Sequence, residues 1–135
     1  MKSISQPHDP QLLRGVLPML ILALLHERES YGYELVERLR ALGLMDLATG
    51  SVYPVLSRFE RDGLLGSHTQ RSASGPARKY YALTPPGECA RQEAAQNWRS
   101  MAAVAERGLA LNGLPAASKT KPLISQSQDL ERGIS

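Results

Sequence analysis

Ten consecutive residues, Val16 to Leu25 (VLPMLILALL), carry no charge and almost no polarity. A bilayer span needs roughly 20 such residues. The flanking sequence offers neither the basic lead nor the small-residue cleavage site of a secretory signal. The run therefore reads as a buried helix of a soluble, non-membrane protein, and the other elements must be arranged to cover it. Pro18 suits a first helical turn, where a missing N–H costs little. The pattern predicts a helix from there to about His26, behind a flexible arm over residues 1–10 and a lead-in turn over Gln11 to Gly15.

A chain of 135 residues is long enough for one domain with its own core. The single cysteine, Cys89, excludes an internal disulfide framework and fits a cytoplasmic location. A net charge of +3 with a pI near 9.2 points toward an anionic partner.

Ser30 is positioned to cap a second helix over Tyr31 to Ala41, with Leu35, Val36 and Leu39 inward and Glu34, Glu37, Arg38 and Arg40 outward. Gly43 suits its end, and Leu44 to Leu47 reads as a short linking strand. In a third helix, Val52, Val55, Leu56 and Phe59 form one buried stripe at i, i+3, i+4, i+7. Thr49 is its expected N-cap and Gly63 its stop. Pro54 lacks the N–H that would bond back to Gly50, which predicts an irregular first turn.

From Leu64 to Thr84 two extended runs flank SASGPA, the pattern of a β-hairpin with a long tip. Its residues from Gly66 on include Arg71, Arg78 and Lys79 and no acid. Thr84 followed by Pro85 starts a fourth helix that runs to about Leu111. One side of it carries Ala94, Trp98, Met101, Ala105 and Leu109; residues 113–135 read as a disordered tail.

Three helices followed by a basic hairpin is the order of a winged helix-turn-helix. The fold class expected is mainly α with a small β-hairpin: a winged domain over 11–84 and a dimerisation helix over 85–112. A helix fits the major groove, and a hairpin lies on the adjacent backbone or minor groove. On the third helix Ser51, Tyr53 and Ser57 can reach base edges, while the longer Arg58 and Arg61 suit phosphates. Arg71, Arg78 and Lys79 extend that set onto the hairpin. A winged helix used only for protein–protein contact is the alternative reading.

YGYEL (Tyr31 to Leu35), GSVYPVLSRFERDGLL (Gly50 to Leu65) and GPARKYYALT (Gly75 to Thr84) resemble the PadR family of bacterial transcriptional regulators. The likeness covers about Leu12 to Leu111. It departs from the family pattern at Ala48-Thr49, where serine or asparagine followed by proline is frequent, at Phe59, often leucine, and at Ala77, often bulkier or proline. The resemblance implies a homodimer through the last helix, repression of an inverted-repeat operator in double-stranded DNA, and release by a small molecule. It places Tyr53 and its neighbours in the major groove, with Arg78 and Lys79 at the wing near DNA; Tyr80 and Tyr81 are expected to pack the wing onto the third helix. In smaller members of the family, a tryptophan at the dimer interface stacks on flat aromatic ligands, and Trp98 occupies a similar position. Trp98 and Met101 are thus candidates for binding a planar aromatic or phenolic effector, the alternative for Trp98 being interface core. Small neighbours such as Ala94, Ala95, Ala102 and Ala105 leave room for a ligand.

No phosphate-loop or nucleophile-elbow pattern is present, and the histidines have no metal-ligand spacing. No enzyme activity, metal or cofactor is therefore expected.

Overall fold

The computed structural model describes residues 8–111. The order of elements is α1 (Pro10–Glu27), β1 (Ser30–Tyr31), α2 (Gly32–Leu42), a 3-10 turn (Thr49–Ser51), α3 (Val52–Arg61), β2 (Leu65–Gln70), β3 (Arg78–Leu83) and α4 (Pro85–Ala110). The chain divides into two compact units, Met1–Ala95 and Gln96–Ser135. In the first, helices α1 to α3 enclose the core and a small antiparallel sheet in the order β1-β3-β2 completes it.

The apolar run does what its composition requires. Leu17, Ile21, Leu22, Leu24 and Leu25 are buried against Leu35, Val36 and Leu39 of α2, Val52, Leu56 and Phe59 of α3, and Tyr81 of β3. Each large apolar side chain so removed from water is worth roughly 1.5–3 kcal/mol. The helix itself starts earlier than expected. Asp9 caps it by accepting from the Leu12 amide at 3.1 Å, and Pro10 is its first residue. The anticipated lead-in turn is therefore helical, and Pro18 lies inside α1 rather than in its first turn. A mid-helix proline removes its own bond to the carbonyl four residues back and crowds that carbonyl with its ring, a cost the packed stripe offsets.

Ser30 corrects a second expectation. It does not cap α2, whose N-cap is Tyr31 without a side-chain bond. Instead Ser30 is fully buried in β1, which pairs Ser30 with Tyr81 and Tyr31 with Tyr80, so the expected hairpin gains a third strand. Two residues are too few to give a recognisable alternation, which is why the pattern hid them. Leu44 to Leu47 forms a turn rather than a strand. It is closed by the Leu47 amide on the Leu44 carbonyl, and Arg40 holds the Leu47 carbonyl at 2.8 and 3.1 Å. Thr49 opens the 3-10 turn and Ser51 stands at the N-cap of α3, so the irregular start expected from Pro54 is present. Gly43 and Gly63, at the ends of α2 and α3, both have positive φ. The expected disordered tail over 113–135 and most of the arm over 1–10 lie outside the described residues.

Arg38 was expected on the solvated side of α2, yet its side chain is only 11% exposed. Its guanidinium donates to the Leu24 carbonyl at 3.0 Å, to Ser30 Oγ at 2.7 Å and to Glu27 Oε1 at 2.5 Å. Truncation removes the donor to Ser30 Oγ and the partner of Glu27, while the Leu24 carbonyl keeps the Arg28 amide at 3.2 Å. We predict that Arg38→Ala lowers stability to urea by about 1–2 kcal/mol, the scale for one buried polar group that loses its donor, and that Arg38→Lys recovers only part of it because an ammonium lacks the fork.

The root of α4 is fixed in three ways. Thr84 caps it through Gly87 N–H to Oγ1 at 3.1 Å, and donates that hydroxyl to the Gly63 carbonyl at 2.7 Å. Gly87 is buried so close to the Leu64 carbonyl that any Cβ would collide with it. Glu88 accepts from Arg91 at 2.6 Å and from His26 Nδ1 of α1 at 2.9 Å. The Arg91 guanidinium, helped by His26, holds the Glu88 carboxyl at about 2 instead of 4.5. A carboxyl depressed on folding contributes stability above its unfolded value and loses it as pH falls through its folded value. Acid titration should therefore weaken the fold between about 4.5 and about 2, and Glu88→Gln should flatten that part of the stability–pH curve.

Candidate nucleic-acid interface

The site is built on α3 and on the strands that follow it. Burying Val52, Val55, Leu56 and Phe59 turns the opposite face of the helix outward. Tyr53, Ser57, Arg58 and Arg61 are exposed there, and Ser51 is half-buried at its start. Arg58 lies over the Phe59 ring at 5.4 Å and makes no ion pair among the described residues. Among the described residues the one acid Arg61 approaches is its neighbour Asp62, at 3.9 Å.

Tyr53 is braced. Gly32, the first residue of α2, is buried, and a Cβ built on it would lie 2.8 Å from Tyr53 Cζ and 2.9 Å from its hydroxyl. The glycine of YGYEL thus makes room for the tyrosine of GSVYP, so the two motifs meet in one contact. One edge of the ring is packed and the other remains in solvent, the side chain being 42% exposed.

The sheet presents two faces because successive side chains alternate. On one, the paired residues Tyr31, Tyr80 and His68 make a cross-strand row. Tyr80 meets Tyr31 edge-on at 5.3 Å and stacks on His68 at 5.8 Å. Arg78, on the same face, lies over the Tyr31 ring at 4.5 Å and has no acidic partner among the described residues. Glu29 accepts from His68 Nε2 at 2.9 Å. Tyr81 joins the core as expected, but Tyr80 does not pack toward α3; it stays on the outer face, one residue out of phase.

Lys79 therefore points the other way from Arg78. Its Nζ lies 3.1 Å from Glu60 Oε1 on α3 and over the Tyr81 ring at 5.3 Å. Arg71, at the end of β2, is exposed and without an ion pair among the described residues. The structure thus brings Ser51, Tyr53, Ser57, Arg58 and Arg61 onto one helix surface and separates Arg78 from Lys79. Sequence reasoning missed Glu60, Gly32 and Arg38. A carboxylate between Arg58 and Arg61 was the available signal for the first.

With this geometry in place the comparisons with known proteins fall into line. The model of the transcriptional regulator PadR-like family matches residues 21–93, more than half of the chain. The chain belongs to the PadR-like family of transcriptional regulators. A PadR-like transcriptional regulator from Bacillus cereus and a transcriptional regulator from Streptococcus are each 35% identical with TM-scores of 0.66. In both cases the alignment covers 73% of this chain and 96% of the other. The transcriptional regulator Rv3488 of Mycobacterium tuberculosis is 38% identical over 80 residues, which is 59% of this chain and 73% of that protein. The three-helix core and three-stranded sheet are thus a PadR-type winged helix with a C-terminal helix. No helix among the described residues is long and apolar enough to cross a membrane, and no group of three or more potential metal ligands occurs among them.

The Gly32–Tyr53 contact is directly testable. In an ordinary helix Gly→Ala gains about 1 kcal/mol. Here Gly32→Ala should forfeit that gain, because the Tyr53 ring must swing away to admit the Cβ. In a Tyr53→Ala background, where nothing else crowds the Cβ, the same substitution should recover the ordinary helical gain, as measured by a denaturation cycle.

Proposed function

We propose that this PadR-like protein is a sequence-specific DNA-binding repressor that acts as a homodimer. The observation that carries the reading is the set of arginines on α3 and the wing, Arg58, Arg71 and Arg78, that no carboxylate compensates among the described residues. Elsewhere in the first unit Arg28, Arg38 and Arg91 are each tied to a glutamate and Arg40 to the Leu47 carbonyl, while Arg14 on α1 is, like the wing arginines, without an ion pair among the described residues. Uncompensated cations beside a helix of groove width suit a phosphate backbone. In this reading Arg58, Arg61, Arg71 and Arg78 hold phosphates, and Ser51, Tyr53 and Ser57 reach base edges.

Dimerisation is supported by the outer part of α4. Trp98 is 45% exposed, Met101 63% and Leu109 50%, an apolar stripe with Ala94 and Ala105 that a second copy would cover. Two recognition helices related by a two-fold axis read an inverted repeat with half-sites roughly 10 bp, or a multiple, apart. The effector assigned to this interface is a planar aromatic or phenolic compound stacked on Trp98 beside Met101. It releases DNA only by favouring a spacing of the recognition helices that the operator does not accept.

The test is binding to duplexes selected from a random pool, followed as a function of salt. Arg58→Ala and Arg78→Ala should each reduce the log–log salt slope by about 0.9, the loss of one phosphate contact. Alanine at Ser51, Tyr53 and Ser57 should change the selected sequence. Unchanged slopes and an unchanged sequence would leave the protein–protein module as the better reading. Trp98 is the sole tryptophan, so its quenching by phenolic compounds over the range that releases DNA tests the effector.

A further inference from the structure

Glu60 is an anomaly on the proposed DNA-facing helix. It lies in the last turn of α3, between Arg58 and Arg61, where a carboxylate opposes phosphate. Its two oxygens are nevertheless both engaged, and each engages a different strand. Oε2 accepts from Ser67 Oγ of β2 at 2.5 Å, and Oε1 accepts from Lys79 Nζ of β3 at 3.1 Å. Ser67 pairs with Tyr81 and Lys79 with Thr69, so the two groups are diagonal neighbours on the sheet face that meets the core. One carboxylate therefore grips both strands of the wing from the end of the recognition helix.

We propose that Glu60 is a positioning residue that sets the wing against α3, and that Lys79 serves this latch rather than a DNA phosphate. The inference rests on the DNA-binding reading above for its functional consequence, but not for its structural one. The hydrogen bond from Ser67, then that from Lys79, holds the Glu60 carboxyl below its ordinary value, and the pair with Glu60 raises Lys79, so both ends of the latch stay charged at neutral pH. The side chains are 52% and 32% exposed for Lys79 and Glu60. An exposed ion pair adds little to global stability, so its value lies in the orientation it fixes. Arg78 opens β3 and Arg71 directly follows β2, the two strands that Glu60 holds.

The latch and simple electrostatics predict opposite signs. If Glu60 were only a repulsive charge near phosphate, Glu60→Gln would tighten binding to every duplex alike. As a latch residue, Glu60→Gln should weaken binding to a duplex selected by the wild-type protein by about two- to fivefold, the range an exposed pair of up to about 1 kcal/mol converts to. The same variant should also weaken binding to a random-sequence duplex, since the arginines that the wing carries are assigned to phosphates, which every duplex presents.

The experiment combines this binding comparison with hydrogen exchange of the β2 and β3 amides in the free protein. Glu60→Gln, Lys79→Met and the double variant are compared with wild type. The expected result is several-fold faster exchange in the wing for each single variant, with the double variant no worse than either. Additive effects of the two substitutions, unchanged wing exchange, or equal tightening toward both duplexes would overturn the proposal. Should the wild-type protein select no duplex, the DNA-binding reading falls and the exchange measurements alone decide the latch.

Discussion

The guanidinium of Arg38 is the interaction on which the arrangement of the winged domain depends. It reaches the last turn of α1 at the Leu24 carbonyl, the side chain of Glu27 beyond it, and the hydroxyl of Ser30 in β1. The Leu24 carbonyl already accepts the Arg28 amide that ends the helix, so Arg38 adds a second bond there, and it also gives the buried Ser30 hydroxyl a donor. One planar group thus ties the helix end to the strand. Because Ser30 pairs with Tyr81, whose ring is in the core, fixing β1 also fixes the edge of the sheet. The position of the wing thus traces back to a residue on α2 that touches neither α3 nor the hairpin strands through any of these bonds.

What could be read from the sequence was whatever has a local period. The stripe Val52, Val55, Leu56, Phe59 was legible because a helix repeats on itself, and the hairpin because turn residues separate two extended runs. The features that escaped are non-local or very short. A two-residue strand has no alternation to detect, so Ser30 passed for a helix cap. Arg38 has the same spacing as its solvated neighbours, and its burial is decided by α1, more than ten residues earlier. The start of α1 escaped because Pro18 has the character of a first-turn residue, whereas the Asp9 cap and Pro10 set the helix start eight residues earlier. The outward set on α3 was legible for the same reason as the core stripe, being its complement.

Charge shows the limits of counting along the chain. The hairpin lacks acidic residues in sequence but not in space. Glu29 comes to His68 from the α1–β1 connection, and Glu60 comes to Lys79 and Ser67 from α3. Two of the basic or titratable groups on the strands are therefore internally matched, and the field the wing presents is that of Arg71 and Arg78. A run of charge implies an electrostatic footprint only after these non-local partners are subtracted.

Two of the three arginines left unmatched on α3 and the wing are held by rings instead. Arg78 lies over Tyr31 and Arg58 over Phe59, at 4.5 and 5.4 Å. A carboxylate partner would order a guanidinium but also neutralise it, and a phosphate would then have to displace the acid. An aromatic face restricts the side chain while leaving its charge and its in-plane donors available. Ordering a long side chain costs up to about 1.5–2 kcal/mol in rotamer entropy, and part of that is already spent in the free protein. Tyr31 is itself held by Tyr80, which rests on His68, so Arg78 sits at the end of a packed row that spans all three strands. The same alternation that turned Lys79 inward to its latch put Arg78 on this row, and the two adjacent residues acquired different physical roles from a single step along β3.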